Sequence, residues 1–546
     1  MHVDEISSAM SDTHIHEIDA LAAPPEDGGV LVWPRGVDLV ELARRNRASG
    51  LLDRVRLCGQ PARTWLPRSD VDSPRSVTPL TFMTGHQPAF FHAGVWIKNV
   101  AVAGLASSAG GRGFFLLVDS DVPGRLAIQW PDDSGSYCRI GSARVKSHQD
   151  WQSYEHIGPT AADELALALQ AVPERIHPEK ESMLGTFREA FTRPPTNGRS
   201  DYPTRWIAAM QQTEKSLECR SPEYVRVSSW FDWSDGGTQI ELCGASAAFV
   251  AHLLLNADQF ARLYNAALAR YRTRRGIKGA QHPIPDLQIE AQRIELPFWQ
   301  LAPDRPRRRL WVSRSGSDRL KLMAEDAALG EVELPALLAN PLQTVARIVP
   351  SLAIRPRALA QTLFARLFAT DLFIHGIGGA KYDTITDDII HAFFKIEPPA
   401  YACISATCLL PTRKFGVKAT DVARQRRAAR DARYNIERYL LDSERTPAIH
   451  DLVNNRRSAV SQSDRLHEAR SKNREVRRRA YLDIQRLNEA LFTLAPGVLE
   501  RQAEAFAEIE RRFNSDQVAG SREWFFALHE PERLRRLAKD VLKAVH

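Results

Sequence analysis

The sequence predicts an α/β protein: a Rossmann-like parallel-sheet core of the nucleotidyltransferase-like type, with a long α-helical coiled-coil hairpin domain. Three observations support this prediction. Apolar segments typical of buried strands alternate with helical segments between residues 78 and 300. The turns after these strands are rich in glycine, histidine and aspartate, and residues 418–515 are rich in arginine and almost free of glycine. Apolar strands without alternation are typical of a sheet that is covered on both faces.

Composition sets the broad class. The chain has 546 residues, which predicts about two or three domains. Its 44% hydrophobic and 25% charged residues are typical of a globular protein, and the net charge of +7 permits anionic small-molecule ligands without requiring nucleic acid. The six cysteines form no CxxC pair, which indicates reduced thiols. The sequence offers no secretory leader and no membrane-spanning stretch, so we expect a cytoplasmic protein that binds neither nucleic acid nor a membrane.

The core is predicted to follow a lead-in. Residues 1–75 are interpreted as a lead-in that contains a helix near residues 37–55, and residues 76–417 as the core with inserted helical and strand segments. A strand, a turn, a helix and a second strand within about 40 residues form a βαβ unit, which implies a parallel sheet. The predicted core segments are the strand 80–85, the helix 93–110, the strand 113–121, the long helical stretch 247–277, and the strands 283–302, 307–315 and 401–411.

The arginine-rich region is predicted to be a separate helical domain. Residues 418–515 are interpreted as a long antiparallel hairpin or coiled coil with one clear break at residues 442–451. Its arginines alternate with acidic residues, so a solvated helical face is favoured over a nucleic-acid site. Long hairpins with sparse apolar positions rarely stay alone, and we therefore expect a homodimer through this segment. Residues 516–546 are predicted to end in a helix that packs back on the core.

The first candidate site is TGHQPAFFHAGVWIKN, from Thr84 to Asn99. Ligands of open α/β sheets bind beyond the carboxyl ends of the strands, and a helix N-terminus there suits phosphate. Gly85 and Gly94 would let the backbone approach a ligand closely. His86 and His92 can donate hydrogen bonds to phosphate oxygens and stabilise charge that develops during transfer. The alternative is a tight strand-to-helix connection with surface histidines.

The second candidate site is VDSD, in which Asp119 and Asp121 end the predicted second strand. Two carboxylates two residues apart on a strand point the same way. They could hold an amine, a ribose hydroxyl or Mg²⁺. The alternative is a polar strand end or a helix cap.

The third candidate site is HGIGGAKYD, from His375 to Asp383. Gly376, Gly378 and Gly379 make a loop that exposes backbone N–H groups, and Lys381 adds a positive charge for phosphate or carboxylate. Asp383 could orient an amine or act as a base, as could the nearby Asp387 and Asp388. The alternative is a glycine-rich turn with solvated charges. In the following strand, Cys403 and Cys408 are interpreted as core residues, and Ser405 and Thr407 as positions that could face a ligand.

The order of TGHQPAFFHAGVWIKN, LVDSD, DLFIHGIGGAKYD and PPAYACISATCLLP before a helical hairpin resembles the bacillithiol biosynthesis cysteine-adding enzyme family (BshC). The resemblance implies a Rossmann-like core that condenses cysteine with the amine of glucosaminyl malate, ATP or ADP as the nucleotide, and dimerisation through the hairpin. It leaves a requirement for Mg²⁺ open and implies no metal site in the protein. The residues that it places around the nucleotide or phosphate are Thr84, Gly85, His86, Gln87 and Gly94 on one wall, Asp119 and Asp121 at the sheet edge, and Gly376, Gly378 and Gly379 on the second wall.

The sequence departs from the family pattern inside the expected cleft. His86 stands where the family has glutamine, Val95 where a proline is frequent, and Lys381 makes the late loop more basic. These differences predict a divergent relative with its own amine acceptor.

The function expected from the sequence is therefore a ligase that joins an amino acid, most simply cysteine, to an amine. In this hypothesis His86 and His92 stabilise transfer charge, Asp119 orients the amino group, and Lys381 or Asp383 handles the acceptor. Two alternatives stay open: a nucleotidyl- or phosphoryl-transferase that uses the same cleft, and a non-catalytic coiled-coil scaffold with a relic core.

Overall fold

The computed structural model describes residues 12–66, 79–174, 181–193, 199–233, 242–348, 353–469 and 473–546. The chain divides into two compact units. The first unit comprises Met1–Trp130, Gly141–Leu410 and Arg522–His546, and the second comprises Pro131–Ile140 and Pro411–Ser521. No helix in the described ranges is long and apolar enough to cross a membrane.

The elements of both units follow in chain order. The strands are β1 (Val30–Trp33), β2 (Arg56–Leu57), β3 (Gln60–Pro61), β4 (Thr81–His86), β5 (Arg112–Leu117), β6 (Ala127–Asp132), β7 (Arg139–Arg144), β8 (Glu223–Arg226), β9 (Ile294–Ala302), β10 (Arg305–Arg314), β11 (Arg319–Ala324), β12 (Ala327–Glu333), β13 (Ala353–Pro356), β14 (Leu372–His375) and β15 (Ala402–Ala406). The α-helices are α1 (Asp12–Asp19), α2 (Leu39–Ala48), α3 (Leu51–Arg54), α4 (Ala93–Ser108), α5 (Pro159–Gln170), α6 (Leu184–Thr192), α7 (Tyr202–Ser216), α8 (Val227–Trp230), α9 (Cys243–Leu255), α10 (Ala257–Arg274), α11 (Leu334–Ala339), α12 (Pro341–Ile348), α13 (Ala358–Phe364), α14 (Ile377–Ile389), α15 (Ala419–Asp431), α16 (Pro447–Glu468), α17 (Arg474–Leu494), α18 (Gly497–Ala519) and α19 (Pro531–Val545).

The main sheet of the first unit has six strands in the order β1-β15-β14-β4-β5-β8. The five strands from β15 to β8 are mutually parallel, and β1 pairs antiparallel to β15. The chain runs outward from β4 through β5 to β8, and returns to the other side of β4 with β14. The predicted α/β class with a mostly parallel sheet is therefore confirmed. The strand order reverses between β4 and β14, which is where open α/β sheets bind ligands.

The βαβ unit at the centre of this sheet forms as its sequence predicts. Strands β4 and β5 are largely buried, and α4 buries most of its length against them and against β15. The terminal helix α19 also packs on α4, where a Cβ at Gly104 would lie 2.3 Å from the side chain of Leu542. Glycine at this position therefore allows the two helices to approach closely.

A second, antiparallel sheet in the first unit has the order β12-β11-β10-β9-β13. Its strand β9 begins at Ile294, so the predicted strand over residues 283–302 is wrong in its first half. Pro283 and Pro285 lie there, and proline cannot donate to a strand ladder. The long helical stretch over residues 247–277 is two helices, because Asn256 leaves helical geometry between α9 and α10.

The region interpreted as a lead-in contributes to the main sheet through β1, which pairs with β15 from Val30 to Trp33. That pairing partner lies at least 370 residues later in the chain, so local sequence offers no signal for it. The predicted helix near residues 37–55 is divided into α2 and α3 at Gly50, whose φ of +69° is left-handed. Residues 1–11 and 67–78 of the lead-in lie outside the described residues.

In its described residues, the second unit has four α-helices, α15 to α18, where the sequence predicts a hairpin with one break. Helix α15 packs against α18, and α16 packs against α17. Short 3₁₀ segments at Ile436–Arg438 and Asp442–Glu444, together with Pro496, interrupt the chain between these helices. A small apolar cluster joins the pairs, and it consists of Ile436, Leu440, Ile449, Val453, Leu491, Ala495 and Val498.

Candidate functional site

Two loops of the first unit meet where the strand order reverses. The loop Gln87–His92 connects β4 to α4, and Gly376 connects β14 directly to α14. We call this region, with the side chains that reach it, the switch-point site. Strands β4 and β14 are adjacent there, with Phe82 paired to Leu372 and Met83 to Phe373.

Lys98 is a buried cation of the switch-point site. Its side chain leaves the second turn of α4, only 3% of its surface is exposed, and its Nζ donates to the Gly85 carbonyl oxygen at 3.2 Å. It makes no ion pair with a carboxylate among the described residues. Burial lowers the pKa of Lys98 from 10.5 to about 8, and Cys403 opposes this shift weakly. A buried cation without a counter-ion is costly and calls for an anion.

The N-terminus of α14 is open toward the same region. Gly376 is its N-cap and provides no side-chain hydrogen bond. No atom lies within 4 Å of the position that a Cβ would take at Gly376 or at Gly378. The first N–H groups of this 13-residue helix are therefore uncapped by a side chain, and an anion is stabilised at such an end.

His375, at the end of β14, is held by a buried acidic partner. Its Nε2 lies 2.8 Å from Oδ2 of Asp383, which also accepts from Arg366 at 2.6 Å. Burial would raise the pKa of Asp383, but Arg366 and His375 lower it to about 2. Burial lowers the pKa of His375, and Asp383 partly offsets that effect. The buried carboxylate of Asp383 is engaged by Arg366 and His375, and its direct role in handling the acceptor stays a prediction.

Asp387 belongs to the same buried network. It accepts from Arg366 Nη2 at 2.7 Å, and burial raises its pKa to about 7. Arg366 also lies over the ring of Tyr401, 4.8 Å from its centroid. These contacts connect α14 to Arg366 and to the end of β14, and so fix the position of the helix that carries the glycine loop.

His92 caps a helix and does not face a ligand as predicted. Its Nδ1 accepts from the Gly94 N–H at 3.0 Å, so the N-terminus of α4 is already occupied. Burial and Arg522 lower the pKa of His92 to about 3, which keeps the ring neutral. A Cβ at Gly94 would lie 2.4 Å from the Ala406 carbonyl oxygen. Glycine is required there for helix packing on β15 rather than for ligand access.

His86 ends β4, and Gln87 begins the loop that follows it. His86 Nδ1 lies 3.1 Å from the Gln87 carbonyl oxygen, and burial and Lys98 lower the pKa of His86 to about 4. The Gln87 side chain donates to Asp121 at 3.0 Å. Gln87 is therefore directed toward the end of β5, and the neutral His86 stays near Lys98.

Thr84 and Gly85 have structural roles at the end of β4. The Thr84 hydroxyl is fully buried and donates to the Ile374 carbonyl oxygen at 2.8 Å. A Cβ at Gly85 would lie 2.9 Å from the Leu116 carbonyl oxygen on β5. The prediction that Thr84 lines the ligand pocket is therefore wrong, and Gly85 contributes its carbonyl group to Lys98.

Asp119 and Asp121 do not act as a pair. Strand β5 ends at Leu117, so both residues lie in the following turn, where the alternation of a strand no longer applies. Asp119 is fully buried and accepts from Arg226 Nε at 2.6 Å and from the N–H and hydroxyl of Ser228. Asp121 pairs with Arg307 at 3.0 Å. The prediction that Asp119 orients an amino group at the first loop is therefore wrong.

Asp119 instead lies behind a cavity of about 450 Å³ at the ends of β5 and β8. We call it the polar cavity. Its charged groups are largely paired: Arg226 with Asp119 and Asp201, and Arg355 with Glu155 at 2.9 Å. Its lining residues are Glu155, Pro159, Arg199, Ser200, Asp201, Arg226, Ser228, Ser229, Asp232 and Arg355.

The end of β15 borders the switch-point site through Arg522. The guanidinium group of Arg522 lies 3.3 Å from the Ser405 hydroxyl, 3.4 Å from the Thr407 hydroxyl and 3.4 Å from His92 Nε2.

Lys381 lies in the second turn of α14 and is partly exposed. Its charge, like that of Lys98, acts on Cys403, although burial dominates and raises the pKa of that thiol to about 12.

Of the predicted residues, the structure gathers His86, Lys381 and the glycine loop of α14 at the switch-point site. The sequence reasoning missed Lys98, His375 and Arg522. Lys98 carried a signal, since it is the one charge in the apolar helical segment Ala93–Ser108. Arg522 carried none, because its contacts with β15 join residues more than 110 positions apart.

No protein-family model matches the chain, and a search of curated proteins gave no match. Among the described residues, no group of three or more histidine, cysteine, aspartate or glutamate side chains is placed to hold a metal ion.

Proposed function

We propose that this protein is a ligase that joins an amino acid, expected to be cysteine, to an amine acceptor such as glucosaminyl malate. Lys98 is the observation that carries the proposal, because it is a buried cation without a counter-ion at the ligand-binding edge of an α/β sheet. The motifs that resemble the cysteine-adding family supply the reaction type. We further propose that the main sheet is a Rossmann-like core, which its strand order supports.

The residues of the switch-point site fit the phosphates of ATP or ADP. Lys98 would supply positive charge, and the uncapped N–H groups at Gly378 and Gly379 would donate to phosphate oxygens. The space around Gly376 and Gly378 leaves room for such a group. A nucleoside triphosphate bound there would supply the activation that a carboxyl group needs before it accepts an amine. The assay with and without Mg²⁺ tests whether this ion is required together with the nucleotide.

The polar cavity is the proposed position of the hydroxyl and carboxylate groups of the acceptor, whose amine would extend to the switch-point site. Three arginines, three carboxylates and three serine hydroxyls line it. An acceptor that carries hydroxyl, carboxylate and amino groups is complementary to such a lining. The buried Asp119 accepts a hydrogen bond from Arg226 and so orients that side chain in the cavity lining, without contacting the acceptor itself.

We also propose a cytoplasmic homodimer that assembles through residues 418–515. In the second unit, Val476, Tyr481 and Leu482 are exposed on α17, and exposed apolar side chains of this kind favour association. A monomeric mass by light scattering would contradict the dimer.

The experiment that tests the function is a mass-spectrometric assay. Purified protein is incubated with cysteine and glucosaminyl malate, with and without ATP and Mg²⁺. We expect an adduct at the summed mass less one water, which Lys98→Met abolishes and the exposed control Lys215→Met retains. Absence of the adduct with folded protein would contradict the proposed substrates.

The same assay separates the two alternatives. A nucleotidyl- or phosphoryl-transferase would consume ATP and modify one substrate without forming the amide. A scaffold would bind neither nucleotide nor amine, and Lys98→Met would then leave every ligand measurement unchanged.

A further inference from the structure

His375 and Asp383 form an oriented pair at the switch-point site. The residues lie at the end of β14 and in the second turn of α14, and only 7% and 2% of their surfaces are exposed. Asp383 is ionised at neutral pH because Arg366 and His375 hold its pKa near 2. An ionised carboxylate only accepts, so the His375 Nε2 that lies 2.8 Å away carries the hydrogen.

This arrangement fixes the tautomer of His375. With the hydrogen on Nε2, Nδ1 of the neutral ring carries a free electron pair. Nδ1 makes no hydrogen bond among the described residues. Burial keeps the ring neutral by lowering its pKa, and Arg366 and Lys98 act in the same direction while Asp383 opposes them.

The backbone of the glycine loop lies beside Nδ1 without hydrogen-bonding it. A Cβ at Gly379 would lie 2.9 Å from His375 Nδ1, whereas no such contact exists at Gly376 or Gly378. Gly379 is therefore the position at which any side chain would press on the free nitrogen. Two aromatic rings pack on the imidazole of His375: the ring centroid of Phe373 lies 4.6 Å away and that of Tyr401 lies 5.1 Å away. In the sheet, His375 on β14 is the register partner of the buried Cys403 on β15. None of these three residues hydrogen-bonds Nδ1.

We infer that His375 is the general base of the reaction at the switch-point site, with Asp383 as its positioning residue. The inference rests on the proposed function, since it assigns a role within amide formation. In the transfer step the acceptor amine forms a bond to the carboxyl carbon of the donor, which a nucleoside triphosphate has activated. The bond from that carbon to the leaving oxygen breaks, and the leaving group keeps the electron pair. The proton that the amine loses goes to Nδ1 of His375.

The test compares His375→Ala with His391→Ala in the cysteine and glucosaminyl malate assay. His391 is a matched control, because its Nδ1 also lies near a carboxylate, 3.7 Å from Glu397, and it is away from both loops. We expect kcat to fall about 100-fold or more in His375→Ala and to be unchanged in His391→Ala. Added imidazole should restore part of the lost rate. In the wild type kcat should fall as the pH drops through the pKa of His375, and this acid limb should vanish in the variant.

A second variant guards against loss of folding. Gly379→Ala keeps the imidazole but places a methyl group against Nδ1, so kcat should fall about tenfold or more while KM changes little. Gly185→Ala is its control, because Gly185 also lies in the first turn of a helix and has no atom within 4 Å of its Cβ position.

The outcomes separate the two claims. Product formation at the wild-type rate and pH profile in both His375→Ala and Gly379→Ala would overturn the assignment of His375 and leave the proposed function intact. No product from any protein, the wild type included, would overturn both. Loss of rate in His375→Ala with rescue by imidazole would support the base, because a structural role would not give rescue.

Discussion

The switch-point site and the polar cavity lie at the carboxyl ends of the same parallel strands but differ in how their charges are balanced. Lys98 is buried with a single backbone carbonyl as its partner, whereas Arg226 and Arg355 are paired with carboxylates. Removing one partner of a buried ion pair destabilises a fold because it leaves an uncompensated charge, and a buried charge without a partner carries that cost from the start. The comparison teaches that burial of charge does not by itself mark a ligand site. A missing counter-ion does, because a ligand can supply it.

The strongest test of the paired region is Asp119→Ala. The substitution removes the buried carboxylate that balances the charge of Arg226 and leaves the partly exposed Asp201 as its ion-pair partner. We expect the free energy of unfolding to fall by about 3–5 kcal/mol, as when a buried ion pair loses one partner. Urea unfolding measures the change. Asp304→Ala, at an exposed pair with Arg305, should leave stability unchanged, and an equal loss in both variants would sink the distinction.

The unpaired region should respond in the opposite direction. Lys98→Met removes a buried charge whose pKa is lowered to about 8, so we expect the free energy of unfolding at pH 7 to rise by about 1–3 kcal/mol. The gain should shrink as the pH rises above 8, because the wild-type amine then loses its charge. ADP should bind about 100-fold more weakly, as expected for a lost charged contact. Urea unfolding measures the change in stability, and titration calorimetry measures the affinity for ADP. A Lys98→Met protein that is less stable than the wild type and binds ADP equally well would contradict both expectations.

The affinity for ADP should also depend on pH. Lys98 must be protonated to bind an anion, so affinity should be highest below the pKa of about 8 and fall about tenfold per pH unit above it. Lys98→Arg stays charged and should remove this dependence. Titration calorimetry from pH 7 to 10 checks the slope. A wild-type affinity that stays flat across that range would exclude Lys98 as the anion-binding group.

The smallest effect is expected at the boundary between the two regions. Asp121 and Arg307 form a pair at 3.0 Å in which both side chains are about one-third exposed. Solvent screens such a pair, so Asp121→Asn should change the free energy of unfolding by less than about 1 kcal/mol. The affinity for ADP should stay within twofold. A large loss of ADP binding would instead place the ligand at the end of β5.

The local features of the site were predictable from sequence, and its assembly was not. The apolar strand, the glycine turn and the apolar helix from Thr81 to Ser108 follow from local patterns. The neighbour of β4 is β14, whose contact at Thr84 and Ile374 joins residues 290 positions apart. No local pattern specifies that pairing, and hence none specifies where the order of the sheet reverses.

The roles of individual polar residues depended on the same distant contacts. The sequence predicts a ligand contact for Asp119, since its actual partner Ser228 lies 109 residues later in the chain and no local pattern reveals it. It predicts a phosphate contact for His92, since a histidine N-cap cannot be told in sequence from any other polar residue before a helix. Lys98 could have been noticed, since a lone lysine in an apolar helix must either reach solvent or be buried at a cost.

A crystal structure of the protein with ADP would show whether Lys98 binds phosphate. We expect the phosphates to lie within 4 Å of Lys98 Nζ and to accept hydrogen bonds from the backbone of Gly378 and Gly379 at the start of α14. Phosphates bound in the polar cavity, or on the second unit with Lys98 still contacting only Gly85, would contradict this expectation.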